Sequence, residues 1–276
     1  MAPVPRAAAP ALTRWLMPLL LGLAACGAGR AGAPPDAREP DGGGAGGPRD
    51  ALPQLDATGS GYALSFNGVN DYATAGNGGF PAAGAAQTVA LWVNYAGAAA
   101  TQDFVVMRMD FTSGVQLGIR DGTITVWRTY SERTLVAAPA LPAINRWHHV
   151  AYTFDATVHA LYVDGVMVAS STAASDIRTP SSVWVGTVDG SNELLAGQLD
   201  EVRVWTATRS AAEVMQDMHH RPAGAEPGLV AYWTFDDPSS GGRALDSSGQ
   251  GNDITLGDGV AERMPSRVLS GAPSVP

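Results

Sequence analysis

Lysine is absent from all 276 residues, so the 17 Lys-plus-Arg positions are all arginine. Charged side chains make up only 16% of the chain, against about 25% in an average soluble protein. Those present are unbalanced: 26 are acidic, and the net charge is −9. Such a surface repels phosphate backbones, which argues against nucleic acid as a partner. Cysteine occurs once, at Cys26, so the chain cannot close a disulfide on itself. No apolar run approaches the ~20 residues that a membrane-spanning helix needs. The sequence also has no HExxH, no paired CxxC and no Gly-x-Ser-x-Gly elbow, which removes the commonest zinc and serine-hydrolase signatures. What is plentiful is apolar: 45% of residues are hydrophobic, enough for a substantial core.

The single cysteine ends a short apolar stretch. Trp15 to Ala25 is apolar, and Arg6 and Arg14 precede it. A basic start, a short apolar segment and small residues before a cut describe an export signal rather than a structural helix. Leu23-Ala24-Ala25-Cys26 resembles the lipobox of bacterial lipoproteins. That resemblance implies acylation of Cys26 and removal of residues 1–25 as a signal peptide. An ordinary secretory signal with an incidental cysteine is the other reading. Gly27 follows the cysteine with no aspartate to mark inner-membrane retention, so the expected destination is the cell envelope, at the outer membrane in a diderm source. Residues 26–58 are Gly, Ala, Pro and Asp with almost no aliphatic bulk, and Gly42 to Pro48 is the clearest part. A segment of this kind cannot offset its ordering entropy by burial. It reads as a disordered tether, reaching roughly 30 Å on average.

From Tyr62 the pattern changes to short runs in which apolar and polar residues alternate. Val89, Leu91, Val93 and Tyr95 share one face of a strand, as do Val150, Tyr152 and Phe154. Asp121-Gly122 and Asp164-Gly165 each separate two such runs, and Asp-Gly supplies the positive φ angles of tight hairpins. Ser210-Ala211-Ala212-Glu213 has the form of a capping box before the stripe Val214, Met215 and Met218. The fold class expected is all-β, an antiparallel β-sandwich with one short helix. Its span is 60–260, and residues 261–276 read as a loose tail.

Several segments then resemble the laminin-G-like, concanavalin A-like lectin jelly rolls. Ala63 to Tyr72 is similar to their opening strand and turn, and Gln87 to Val93 to a framework strand. Trp147-His148-His149-Val150-Ala151-Tyr152-Thr153-Phe154-Asp155 resembles the most recognisable motif of the group, with Leu161-Tyr162-Val163-Asp164-Gly165 after it. Gly197 to Trp205 and Asp246 to Asn252 continue the likeness. The resemblance implies two curved sheets with one concave face. It also implies a structural calcium between the opening strand and the late acidic strand, with Asn67, Asp71 and Asp200 as candidate ligands. Asn67 and Asn70 stand where relatives often carry aspartate. The same residues also suit Asx-type turns with no metal.

Adjacent histidines on a strand point to opposite faces, so His148 and His149 cannot share a metal ion. Some members of this fold are glycoside hydrolases, and those acting on β-glucans carry Glu-x-Asp-x-x-Glu, which this chain lacks. Asp200 and Glu201 are neighbours on a strand, so their side chains should diverge, and no catalytic residue is assigned. Sugar recognition needs rings beside polar groups. Trp127, Tyr130 and Trp184 are candidates, with Asp189, Asn192 and Glu193 near in sequence, although core packing also explains a tryptophan. The expected function is a non-catalytic surface lipoprotein module, membrane-anchored by lipid, that presents a lectin-like face to glycans or protein partners. An envelope accessory protein without glycan binding is the alternative. A cryptic glycoside hydrolase would require Asp200, Glu201 and Glu193 to converge.

Overall fold

The computed structural model describes residues 61–273, except 77, 98–100, 111–112, 130, 132, 175–176, 223–224 and 238–240. Cys26, the signal segment, the tether and Tyr130 lie outside the described residues.

Among the described residues, sixteen strands form two eight-stranded antiparallel sheets that face each other as a sandwich. The first sheet holds β1 (Tyr62–Asn67), β3 (Gln87–Tyr95), β8 (Trp147–Phe154), β9 (His159–Val163), β10 (Val166–Ser171), β12 (Ala196–Trp205), β13 (Leu229–Trp233) and β16 (Ser266–Leu269). Its order is β10-β9-β8-β3-β12-β1-β16, with β13 also paired to β12. The second sheet holds β2 (Ala73–Ala75), β4 (Gln102–Asp110), β5 (Ser113–Arg120), β6 (Thr123–Arg128), β7 (Thr134–Ala137), β11 (Ser182–Val185), β14 (Arg243–Ala244) and β15 (Ile254–Leu256). Its order is β14-β15-β2-β11-β4-β5-β6-β7.

The period-2 pattern explains the core. Leu91, Val93 and Tyr95 from the first sheet and Val105, Leu117 and Val126 from the second are all buried in one apolar cluster between the layers. Both Asp-Gly turns form as expected: Asp121 and Asp164 adopt φ of 52° and 49°, and a glycine follows each. These turns join β5 to β6 and β9 to β10.

The outer face of the first sheet is covered as well. Helix α1 (Ala211–His219) lays Val214 onto Ala90, Ala151, Ala160 and Tyr162. Three alanines on the strands let the helix approach closely. The helix thereby buries Ala90, which points away from the inter-sheet core; with Thr88 bonded to the Ala207 carbonyl and Trp92 packed on His149, seven consecutive residues of β3, Gln87 to Val93, are buried. Met215 does not join the buried stripe; it is 41% exposed. The capping box is complete. The Ser210 hydroxyl accepts from the Glu213 amide, and Glu213 accepts from the Ser210 amide at 2.7 Å. Ser210→Ala should therefore cost about 1 kcal/mol, read as a shift in the urea midpoint with unchanged m-value.

Beneath and beside the helix lies a buried ionic group. Arg203 is 1% exposed and pairs with Glu201 at 2.6 Å. It also donates to the Asp217 carbonyl and packs its guanidinium 4.8 Å from the centre of the Tyr232 ring. The Tyr232 hydroxyl donates to the same Glu201 oxygen. Arg221 bridges the other Glu201 oxygen, at 2.7 Å, to Asp236, at 2.8 Å.

The C-terminal segment corrects one expectation. Residues 266–269 are not a loose tail but an edge strand, β16, paired to β1 from Tyr62↔Leu269 to Ser65↔Ser266. The strand is short and mostly exposed, so it lacks the apolar alternation by which a strand is read. Its backbone ladder to β1 holds it.

Candidate ligand-binding face

Helix α1 packs on the first sheet, and at the outer face of the second the short 3-10 turn Gly257–Gly259 borders β2, where Asp258 accepts from the Tyr72 hydroxyl at 2.8 Å and the Thr74 hydroxyl at 3.1 Å. Core residues of β4, β5, β6 and β11 point inward, so the residues between them point out. The register places Thr74, Trp184, Val106, Gln116 and Trp127 in one transverse row across β2, β11, β4, β5 and β6. Two of the tryptophans expected to meet a ligand thus share a row. They differ in access. Trp127 is 1% exposed, and that burial is what keeps its ring from a ligand. Trp184 is half-buried. It stacks on Tyr72 at 5.7 Å between centroids, and the Arg108 guanidinium lies 4.5 Å from its ring centre. Its Nε1 donates to the Ser182 hydroxyl at 3.2 Å.

A tight loop after β11 stands beside this stack. Asp189 Oδ1 accepts from the amides of Ser191 at 2.9 Å and Asn192 at 2.8 Å, and Asp189 Oδ2 accepts from the Asn192 side chain at 2.9 Å. Burial pushes the Asp189 carboxyl up, but the bonds from Asn192 and Ser191 outweigh it and leave the group below the usual carboxylate range. Gly190 lets the loop reach the stack, since a Cβ there would sit 3.2 Å from the Tyr72 ring. The same position would be 3.5 Å from the Trp184 ring, so the loop that carries Asp189, Asn192 and Glu193 runs beside that ring.

The loop is fastened to the sheet through a buried acid. The Asp103 amide donates to the Glu193 carbonyl at 2.8 Å. Gln116 Nε2 donates to the Glu193 carboxylate at 2.6 Å and lies 3.1 and 3.2 Å from the two Asp103 oxygens. Burial, and then the charge of Glu193, pushes the Asp103 carboxyl well above its ordinary range. A hydrogen bond between the Asp103 and Glu193 carboxyl groups adds to the same upward shift of Asp103. Sequence reasoning missed Asp103, Gln116, Arg108 and Tyr72. The available signal was a charged residue at each end of the apolar run Phe104 to Met107.

The calcium candidates do not converge. Asn67 Oδ1 accepts from the amides of Val69 at 2.8 Å and Asn70 at 3.0 Å, and Asp71 Oδ2 accepts from the Asn67 amide at 2.9 Å. This is a self-satisfied Asx turn. Asp200 belongs to the other end of the ladder. Ala196, not Asp200, stands opposite Asn67, and four residues of strand span about 13 Å. Asp200 accepts from the Ser270 hydroxyl at 2.5 Å and the Glu201 amide at 2.7 Å. Calcium needs six to eight oxygens around one point, and these three residues do not fit that cage.

Hydrolase geometry fails for a related reason. Asp200 and Glu201 do not diverge as expected: a bulge between Asp200 and Arg203, with Glu201 at φ 54°, turns both to the outer side of the first sheet, whereas Glu193 bonds to the second. Sheets pack about 10 Å apart, which exceeds the carboxyl spacing of a retaining pair. Asp103 is near Glu193, but it is 0% exposed and cannot touch a ligand. His148 turns inward from β8 to Asp164 at 2.8 Å, while His149 packs outward against Trp92. The two rings face opposite ways, as expected.

The sequence profile of the Concanavalin A-like lectin/glucanases superfamily matches residues 67–215. No curated protein sequence matches the chain. Among solved structures, a Bacteroides ovatus protein assigned to carbohydrate binding superposes with a TM-score of 0.58 at 21% identity, over 71% of this chain and 59% of that one. Domain 4 of an extracellular arabinanase from Geobacillus stearothermophilus, solved with arabinotriose, gives 0.47 at 19% identity over 56% and 75%. The carbohydrate-binding module of a Ruminococcus gnavus sialidase, bound to sialyllactose, gives 0.44 at 17% identity over 56% and 95%. The chain spans about 59% of the length of the Bacteroides ovatus protein.

Proposed function

We propose that this chain, which belongs to the concanavalin A-like lectin/glucanase superfamily, is a non-catalytic carbohydrate-binding module. The observation that carries this reading is the half-buried Trp184, stacked on Tyr72 and flanked by Arg108 and the Asp189–Glu193 loop. The part of the indole that Tyr72 and Arg108 leave exposed can pack against the apolar side of a sugar, and a few fixed polar groups orient its hydroxyls. The ring is pre-set by its stack and its bond to Ser182, so binding loses little side-chain freedom.

The anchor is part of the same proposal. Acylation of Cys26 would hold the module at the cell envelope, and residues 26–58 would carry it clear of the lipid head groups. Several acyl chains give firm attachment where one is marginal. Among the described residues no helix is long and apolar enough to cross a membrane.

A glycan array probed with the full chain tests the reading, run once with calcium and once with chelator. Binding to at least one glycan class is expected, with the same pattern in both conditions. Trp184→Ala should weaken that binding about ten-fold while the melting temperature stays close to wild type. Silence across the array in both conditions would remove the reading. A docking role in the envelope draws on a different place. Val166 (61% exposed), Met167 (54%) and Met215 (41%) lie together where the β9–β10 turn meets α1.

A further inference from the structure

The outer face of the first sheet is covered row by row, and the cover stops short. The row nearest α1 holds Ala90, Ala151 and Tyr162 beneath the helix. The next holds Asp200, Trp92 and His149, all at most 5% exposed, with Ser270 of the C-terminal segment bonded to Asp200. The row after that is only partly covered, with Gly271 lying against the indole of Trp147 at its end. It runs Ser65, Gln198, Asn94, Trp147 across β1, β12, β3 and β8, and all four are partly exposed. Three strand spacings make it about 14 Å long. Asn67 and Asn145 border it, and the groove over these strands has a volume of about 360 Å³.

The chemistry of this groove is uniform. Its lining is side-chain amides, a hydroxyl, small residues and Phe66, with no charged side chain. The Asn94 amide nitrogen lies 3.4 Å from Gln198 Oε1. That long contact leaves the Gln198 nitrogen and the Asn94 oxygen to the groove, one donor and one acceptor side by side. A ligand that both donates and accepts at close spacing matches such a pair, and hydroxyl groups do both. An ionised ligand would meet no counter-charge. Trp147 closes the row with an indole ring.

We propose that this groove is a second saccharide site, selective for a neutral glycan chain. It lies on the opposite side of the sandwich from Trp184, so one short oligosaccharide cannot fill both places. The module would then hold two glycan chains at once and bridge them. The proposal goes beyond the reading of the second sheet and does not require it.

The test is an NMR titration of the ¹⁵N-labelled full chain with three neutral probes, cellohexaose, mannohexaose and maltohexaose, and one acidic probe, trigalacturonate. Concentrations on the order of 10 mM fill even a millimolar site. The expected result is that a neutral probe moves the Trp147 indole N–H signal and the Asn94 and Gln198 amide signals. The Trp184→Ala protein should show the same movement. The double substitution Asn94→Ala with Gln198→Ala, both on the solvent side, should weaken it about five-fold or more while the rest of the spectrum is retained. Trp147→Ala would be read beside it, so a folding defect in one variant does not decide the matter. The proposal is overturned if none of the neutral probes moves these signals. It is also overturned if trigalacturonate moves them as far, or if Trp184→Ala abolishes the movement in a folded protein. The last outcome would leave the Trp184 site standing and remove only the second groove.

Discussion

Glu201→Ala should lower the unfolding free energy by about 3 to 5 kcal/mol, the usual cost of stripping one partner from a buried ion pair. For a domain of this size that corresponds to a fall in Tm of roughly 6 to 20 °C. The reason lies in what stays behind. Arg203 remains 1% exposed with its strongest partner gone, and the Tyr232 hydroxyl loses its acceptor. Arg221 loses one of its two carboxylates. A partner variant separates charge from packing. Glu201→Ala combined with Arg203→Met removes the stranded cation and fills its space with an apolar chain, and should be more stable than Glu201→Ala alone. Thermal melts and urea midpoints on the four proteins of the cycle measure this. If the double variant is as unstable as the sum of the singles, the pair is not the unit that matters.

Asp103→Asn should stabilise the protein at alkaline pH and not at acid pH. The folded Asp103 keeps its proton above the ordinary carboxylate range, because of burial first and Glu193 second. Its contribution to stability is therefore complete below about pH 4 and is lost as the pH rises through the raised folded value. Asparagine keeps both contacts without the titration: its oxygen accepts from Gln116, and its nitrogen donates to Glu193. A gain of roughly 1 to 3 kcal/mol is expected near pH 8, shrinking to nothing near pH 4. Urea midpoints across that range read it, and an equal shift at both ends would refute the assignment. Two other groups shape the same curve. Asp200 is raised by burial and then by Glu201, so it adds a decline in the same direction. His149 is pushed down to about 3, chiefly by burial. Its contribution runs the other way: it is whole above about pH 6.5 and is lost as the pH falls toward the folded value.

Much of the fold was legible because local rules were strong. Asp121-Gly122 and Asp164-Gly165 fixed two hairpins, alternation gave the inward faces of β3 and β8, and the Ser210 cap placed α1. Strands of two or three residues, such as β14 and β2, are too short to carry a period. The site was legible only in part. Period 2 tells which residues share a face but not what lies over that face. Trp127 and Trp184 occupy the same row, yet one is covered and the other partly open. Asp200 failed as a partner to Asn67 because register, which no single strand reveals, sets four residues between them. Arg108 escaped notice because it ends an apolar run and reads as an edge residue, while its use comes from the Trp184 ring one strand away.

The place of β1 has a mechanical meaning. It is laddered on both sides, to β12 and to β16, and Tyr62 stands directly opposite Leu269. A pull entering at Tyr62 along the strand axis loads both ladders in parallel, so their rungs must yield together. A pull between Tyr62 and Leu269 opens the β1–β16 ladder one rung at a time. Tension that enters the domain at Tyr62 along β1 therefore meets its stiff direction, and tension across Tyr62 and Leu269 meets the soft one.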